Sequence, residues 1–536
     1  MKRIYIWFTF GFILVVLLAT FFAFRDDFAE KSAIIPENDP TKTSRFRDVS
    51  STLRVGVITT PPFLGNPYAS LNAPTIFTWS AIFDSLTFVA HDGDARPWLA
   101  TSWEASSPHT WIFKLREDVL FSNGEKFTSD AVVNAVEYLI STEAQKEVVA
   151  NMLNSVAGAR MIDDYTVEIV TKSPNIMFPR EAASLRIVAP EHWRKLGPQK
   201  FAQEPHGTGP FIVESWHPSV VRLRAFTDSW RPPHFDRLEI LSVPEGQARV
   251  QGMLSGQLDI ILGGTPDLTA RLPAEGHQVI VVPGSGTFSF AFILNPKHPA
   301  FDERNIPLTD IRVRQAINYA VDKQAFVDIL LDGQTVVPSQ PAPRIAFGHD
   351  PALQPYPYNP DKARTLLEEA GYADGFPLVI EVLSVGWEAI YERAASDLRA
   401  VGIDVQLLTF TLPQYIRAVH TGDFRGQGFI MDFPTAPQMD PMRGMRLHSC
   451  LWKVPWLCIE DDQKLIDATM SEFDLAKRLS MTKRLMRIYR DQAYVLNLYE
   501  QVNIYGVRKG LKGFEAEGLF IRYDLLRDYP TKTGAN

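Results

Sequence analysis

Hydrophobic and polar positions along the chain fall into three regimes. From Ile4 to Phe24 no charged residue interrupts the apolar pattern, with Lys2 and Arg3 before it and Arg25, Asp26 and Asp27 after it. That run is long enough to cross a hydrocarbon core of about 30 Å as a helix, and longer than the usual signal-peptide apolar region of roughly 7–15 residues. A small-x-small cleavage site is hard to find, because Ala23 has Phe21 two positions before it and Ala19 has Leu17. Two readings of residues 1–30 stand, an uncleaved anchor and a long signal peptide. In both, Lys2 and Arg3 stay cytoplasmic and the body is exported. Residues 31–51 are polar, with Pro36, Pro40 and a Thr/Ser/Lys cluster, and read as a linker.

From Leu53 onward the pattern is periodic. Leu53 to Val57 and Trp111 to Leu115 alternate as strands. Asn123-Gly124 is a turn signal, and Thr128 opens a helix whose apolar face is Val132, Val133, Val136 and Leu139. Asp310 caps a helix carrying Val313, Ile317 and Ala320, and Asp322 begins another that ends near Gly333. Asn359-Pro360 starts a helix with Pro at its first position, Ala363, Leu366, Leu367 and Ala370 on one face, and Gly371 at its end. Ile390, Ala394, Leu398 and Val401 form a further face, closed by Gly402 and followed by the strand Val405 to Leu408. Residues 474–491 predict a helix on Leu475, Leu479, Leu485 and Tyr489. Strands and helices are interspersed, which is an α/β class. No solenoid repeat is present.

Composition narrows the function by exclusion. A chain of 536 residues with 46% hydrophobic and 22% charged residues suits a soluble body of two or three domains. A net charge of -8 argues against nucleic acid as a partner, since phosphate binding needs a basic surface. The eleven histidines are scattered without metal-binding spacing, and no H-E-x-x-H, G-x-S-x-G or Walker motif occurs. His91-Asp92-Gly93-Asp94 reads as a hairpin turn rather than a metal site, and Gly284-Ser285-Gly286 as a turn before a strand. Neither an enzyme, a metal nor a cofactor is expected. Cys450 and Cys458 are the two cysteines; a disulfide closing a small loop fits an exported protein, and two free thiols packed in a core are the alternative.

Several stretches in order resemble the family-5 extracellular solute-binding proteins, the group of dipeptide- and oligopeptide-binding proteins. They are Pro97 to Glu104, Trp111 to Arg116, Phe121 to Val132, Gly207-Thr208-Gly209-Pro210-Phe211, Ser255 to Ile260, Asp310 to Ile317 and Tyr358 to Ala363. Trp98, Trp103 and Trp111 read as core, and Gly207 and Gly209 as backbone freedom before a strand. The resemblance implies a two-lobed periplasmic-binding-protein fold of the large peptide-binding type. Lobe 1 would be 52–287 plus 502–536, with an extra subdomain near 69–206, and lobe 2 would be 288–501. The chain would cross between lobes near Phe288-Ser289-Phe290 and near Gln501. Ligand would sit in the interlobe cleft, buried by hinge closure, and the closed form would dock on an ABC transporter permease in the inner membrane. A monomer acting in the periplasm is expected.

The same resemblance assigns candidate ligand-binding residues. Gly428 to Asp432 matches a stretch in which a Trp and, three residues on, an Asp face the ligand; Asp432 takes the ammonium-binding position and Phe429 the Trp position. Asp440-Pro441 is a second match in an ambiguous register. The cysteine pair resembles one of the dipeptide-binding branch, which favours the disulfide. That branch also has an Arg for the ligand carboxylate in the strand before residues 388–401. No Arg or Lys lies between Phe376 and Ala389, and Glu381 is the nearest charge. Arg425 or Arg417 is a candidate substitute for that role, with a solvated surface charge as the alternative for each, and Trp387 is a candidate pocket aromatic. The departure leaves open a non-peptide solute, such as an opine, a sugar-phosphate conjugate or a metal chelate, or a tethered sensory receptor.

Overall fold

The computed structural model describes residues 51–528, apart from 63, 71–72, 91, 263, 385–386, 437 and 518–519. The apolar run and all of the linker but Ser51 lie outside the described residues, and among these no helix is long and apolar enough to cross a membrane.

A ten-stranded mixed sheet runs through the body. Its spatial order is Ile403–Phe410, Phe376–Leu383, Gly428–Asp432, Gln278–Phe292, Val495–Val507, Ile260–Leu262, Thr52–Val57, Arg237–Ser242, Val220–Ala225 and Phe211–His217. The two long central strands, Gln278–Phe292 and Val495–Val507, pair antiparallel along most of their length and belong to both halves of the molecule. Their register breaks between Pro283 and Thr287 and again between Phe288 and Ser289. Such breaks bend a strand and increase its twist. Gly284-Ser285-Gly286 therefore sits inside a strand at its irregularity, and not in a turn before it.

The cores follow the two halves. One gathers Leu53, Val55, Ile240 and Ile260 with Tyr505 and Val507, and extends without interruption through Trp79, Phe113, Phe127 and Trp193. Two more gather Phe290, Ile317, Ile380, Leu398 and Tyr499 on one face of the sheet, and Phe429, Met431, Met445 and Trp456 on the other. A four-stranded antiparallel sheet, in the order Ala100–Ser107, Thr110–Leu115, Thr166–Thr171 and Val156–Asp163, forms the extra subdomain. The fold is the two-lobed α/β architecture the sequence implies.

Local signals act as chemistry requires. Asn359 accepts from the Lys362 amide at 2.9 Å, and Asp310 from the Arg312 amide at 2.8 Å, each satisfying an amide that the first helical turn leaves free. Thr128 occupies the cap position of Ser129–Ile140 without a side-chain cap bond. Trp98 and Trp111 are buried. Gly207 and Gly209 serve close approach, not backbone freedom: a Cβ would stand 2.1 Å from the Ile82 carbonyl oxygen at Gly207 and 2.6 Å from that of Ala81 at Gly209. The helix Leu475–Asp491 corrects the expected apolar face. Arg478, Thr482, Leu485, Met486 and Tyr489 are buried, while Leu475 is exposed. Arg478 turns inward because Asp440 awaits it at 2.7 Å and the Thr469 carbonyl accepts its other nitrogen.

Candidate functional site

The strand Gly428–Asp432 sorts its residues by the two-residue period of a strand. Phe429 and Met431 point to one face, Ile430 and Asp432 to the other. Cross-strand pairing then builds a row on the Asp432 face: Phe288 lies opposite both Asp432 and Tyr499. Phe288 and Tyr499 stack with ring centroids 5.2 Å apart, and Trp387 packs on Tyr499 at 5.5 Å. Tyr391 completes the neighbourhood through Phe290, at 6.0 Å. The hydroxyls of Tyr499, Tyr391 and Thr287 are buried without hydrogen-bond partners among the described residues.

Asp432 is a carboxylate set without company in this aromatic surround. Its Oδ1 is covered and unpartnered. Burial pushes its carboxyl up to about 7, opposed by the more distant Arg443 guanidinium. Its main chain is fixed by His448, whose Nε2 lies 3.2 Å from the Asp432 carbonyl oxygen. The Trp456 indole N–H meets the other ring nitrogen at 3.4 Å, which makes Nε2 the protonated one. Burial holds His448 down to about 4 and therefore neutral. Gly286, at the strand irregularity, leaves room for the carboxylate: a Cβ there would stand 2.0 Å from Asp432 Oδ1.

A cavity of about 890 Å³ lies between the subdomain and the second half of the chain. Its walls include Asn151, Asn154, Ser155 and Glu181 on one side, and Gln438, Asp440, Arg443, Trp452 and Arg478 on the other. The halves meet around it: Arg446 reaches the Asn154 side chain at 3.3 Å, and Arg180 lies over the Phe347 ring at 5.0 Å. Glu181 accepts from the Ser155 hydroxyl at 2.8 Å, and burial raises its carboxyl. Asp432 is not a wall residue of this cavity. Arg443 connects the two, lining the cavity and supplying the charge that acts on Asp432.

The four candidate ligand residues thus separate. Asp432 and Trp387 come together around Tyr499. Phe429 lies on the opposite face, stacked on Phe424 at 4.3 Å and edge-on to Trp456, where it fills core. Arg425 donates through Nε to the fully buried Glu381 at 2.9 Å, and its backbone N–H serves the same carboxylate at 2.8 Å. This candidate for a ligand carboxylate neutralises a buried acid instead. Arg417 is exposed, 3.7 Å from Asp423. Tyr499, Tyr391, Gly286 and Arg443 escaped the sequence reading. Tyr391 adjoins a recognised helix face, but no local period marks the others.

Cys450 and Cys458 form a disulfide, with Cα atoms 4.6 Å apart. The loop it closes carries Leu451 and Trp452 to the cavity wall.

Residues 94–439 match the family described as bacterial extracellular solute-binding proteins, family 5 middle. The chain belongs to that family. Among family-5 relatives, the dipeptide-binding protein of Escherichia coli (strain K12) is 25% identical over 495 residues, covering 83% of this chain and 90% of the relative. The nickel-binding periplasmic protein of the same organism is 27% identical over 354 residues, 62% of this chain and 66% of the relative. A periplasmic binding protein from Helicobacter pylori, solved in complex with a peptide, superposes with a TM-score of 0.73 at 19% identity, over 89% of this chain and 98% of that one. Family-5 members are solute-binding proteins, which agrees with a cavity of this size lined from both halves.

Proposed function

We propose that the protein captures a peptide or peptide-like solute bearing a free ammonium group and delivers it to the permease of an ABC importer. Asp432 carries the reading. Its buried carboxylate has no donor among the described residues, and an ammonium placed against it would gain a charge-assisted hydrogen bond strengthened by the low local dielectric. Tyr499, Trp387 and Phe288 would add cation–π attraction and apolar contact. The relatives named for dipeptides support a peptide ligand.

The lobes in this reading are 52–287 with 502–536, and 288–501, hinged on the two long central strands. Ligand works by favouring the closed arrangement. No bond is made or broken. The residues that would hold the cargo are those facing the cleft, and the apolar N-terminal run keeps the body outside the inner membrane, either as a tether or as a removed leader. Native mass spectrometry of protein purified under gentle conditions tests the reading. A co-purified mass belonging to an amine-bearing peptide or conjugate supports it; a co-purified solute without an amine contradicts it.

A further inference from the structure

We infer that Arg443 is the anion-binding residue of the cleft, so that the captured solute carries an anionic group as well as its ammonium. The inference rests on the cleft being the ligand site. It starts from an accounting of the charges on the cavity wall. Arg478 is paired with Asp440 at 2.7 Å and donates to the Thr469 carbonyl. Arg446 is exposed and spends its guanidinium on the Asn154 amide across the cleft. The His420 ring packs tilted against Trp452, with centroids 5.3 Å apart. Glu181 is held by Ser155. Arg443 alone among these described arginines has neither an ion pair nor a side-chain hydrogen bond with a described residue, although it is partly buried.

An unpaired guanidinium in such a place is costly, and proteins keep buried charges paired or use them. Asp432 is the acid that acts on it, yet the two are not in contact as an ion pair. Arg443, which lines the cavity, therefore keeps its hydrogen-bonding capacity for something lying in the cleft. A guanidinium presents a planar fork that matches a carboxylate or phosphate in two-point geometry. No Arg or Lys lies between Phe376 and Ala389, and Arg425 is committed to Glu381. Arg443, on the short helix Met442–Leu447, brings the missing charge to the cleft from a different element.

The test uses the full chain, freed of bound solute, with three probes by titration calorimetry: a dipeptide, its C-terminal amide and its N-acetyl form. The free acid should bind about 10–100-fold more tightly than the amide, the range expected of a charged hydrogen bond. Arg443→Met should erase that ratio and Arg443→Lys should restore part of it, with circular dichroism showing both variants folded. Equal affinity for acid and amide in the wild type, or a ratio unchanged in Arg443→Met, overturns the inference while leaving the amine reading intact. Propionate as a bare carboxylate provides an arm independent of peptides. If no dipeptide binds but propionate raises the Tm of the wild type and not of Arg443→Met, the peptide reading fails and the anion site stands. Absence of both effects overturns both.

Discussion

Replacing Asp432 with Asn should stabilise the empty protein at alkaline pH and do nothing at acid pH. Neither carboxylate oxygen accepts a hydrogen bond from a described residue, so the substitution removes charge without removing a bond. Burial raises the carboxyl from the ordinary range near 3.8 to about 7. Between those values the folded protein holds a proton that the unfolded chain has released. Stability then falls as pH rises through that window, and the loss is complete above pH 7. Its full size is about 4 kcal/mol, since each pH unit of displacement is worth about 1.4 kcal/mol; water at the open edge of the residue makes this an upper bound. The difference between variant and wild type should be near zero below pH 4, grow through pH 5 and 6, and level off above 7. Urea unfolding of ligand-stripped protein at each pH measures it, and titrations shared by both chains cancel. A difference that does not change with pH, or an Asn variant less stable at pH 8, would refute the reasoning. Stability given up at a binding carboxylate and recovered on ligand capture is the usual trade at a functional site.

Two further substitutions separate binding from support. Gly286→Ala has an ordinary backbone conformation to occupy, so it forces the Asp432 carboxylate aside at a cost of about 1–3 kcal/mol or less. Affinity for an amine-bearing ligand should drop more than about tenfold, the equivalent of about 1.4 kcal/mol, and unchanged affinity by calorimetry would contradict the placement. Arg425→Ala strips Glu381 of one of its donors and should cost about 1–3 kcal/mol in urea unfolding. It should leave ligand affinity unchanged, whereas weakened binding would return Arg425 to the site.

Much of the fold was legible because its determinants are local. The caps at Asp310 and Asn359, the helix faces at Ala363 and Leu367 and at Ile390 and Leu398, and the alternating strand at Leu53 to Val57 all depend on neighbours a few residues away. Errors arose where a distant partner decided the outcome. Arg478 is buried only because Asp440 and Thr469 meet it, and Leu475 is then left outside. Gly207 and Gly209 are constrained by the carbonyls of Ala81 and Ile82, which no local pattern announces. The site divides in the same way. A resemblance singled out Asp432 and Phe429 together, but the strand period sends them to opposite faces. Tyr499 reaches Asp432 through the register of three strands, and Arg443 gains meaning only once Arg478, Arg446 and Arg425 are seen to be committed elsewhere.

The central claim is that Asp432 anchors a ligand ammonium. Calorimetry of one dipeptide and its N-acetyl form, on wild type and Asp432→Asn, tests it most directly. The account predicts that acetylation abolishes binding to the wild type and that Asp432→Asn loses the free-amine peptide to a similar extent. Equal affinity for the two forms, or full affinity of the Asn variant for the free amine, would contradict it.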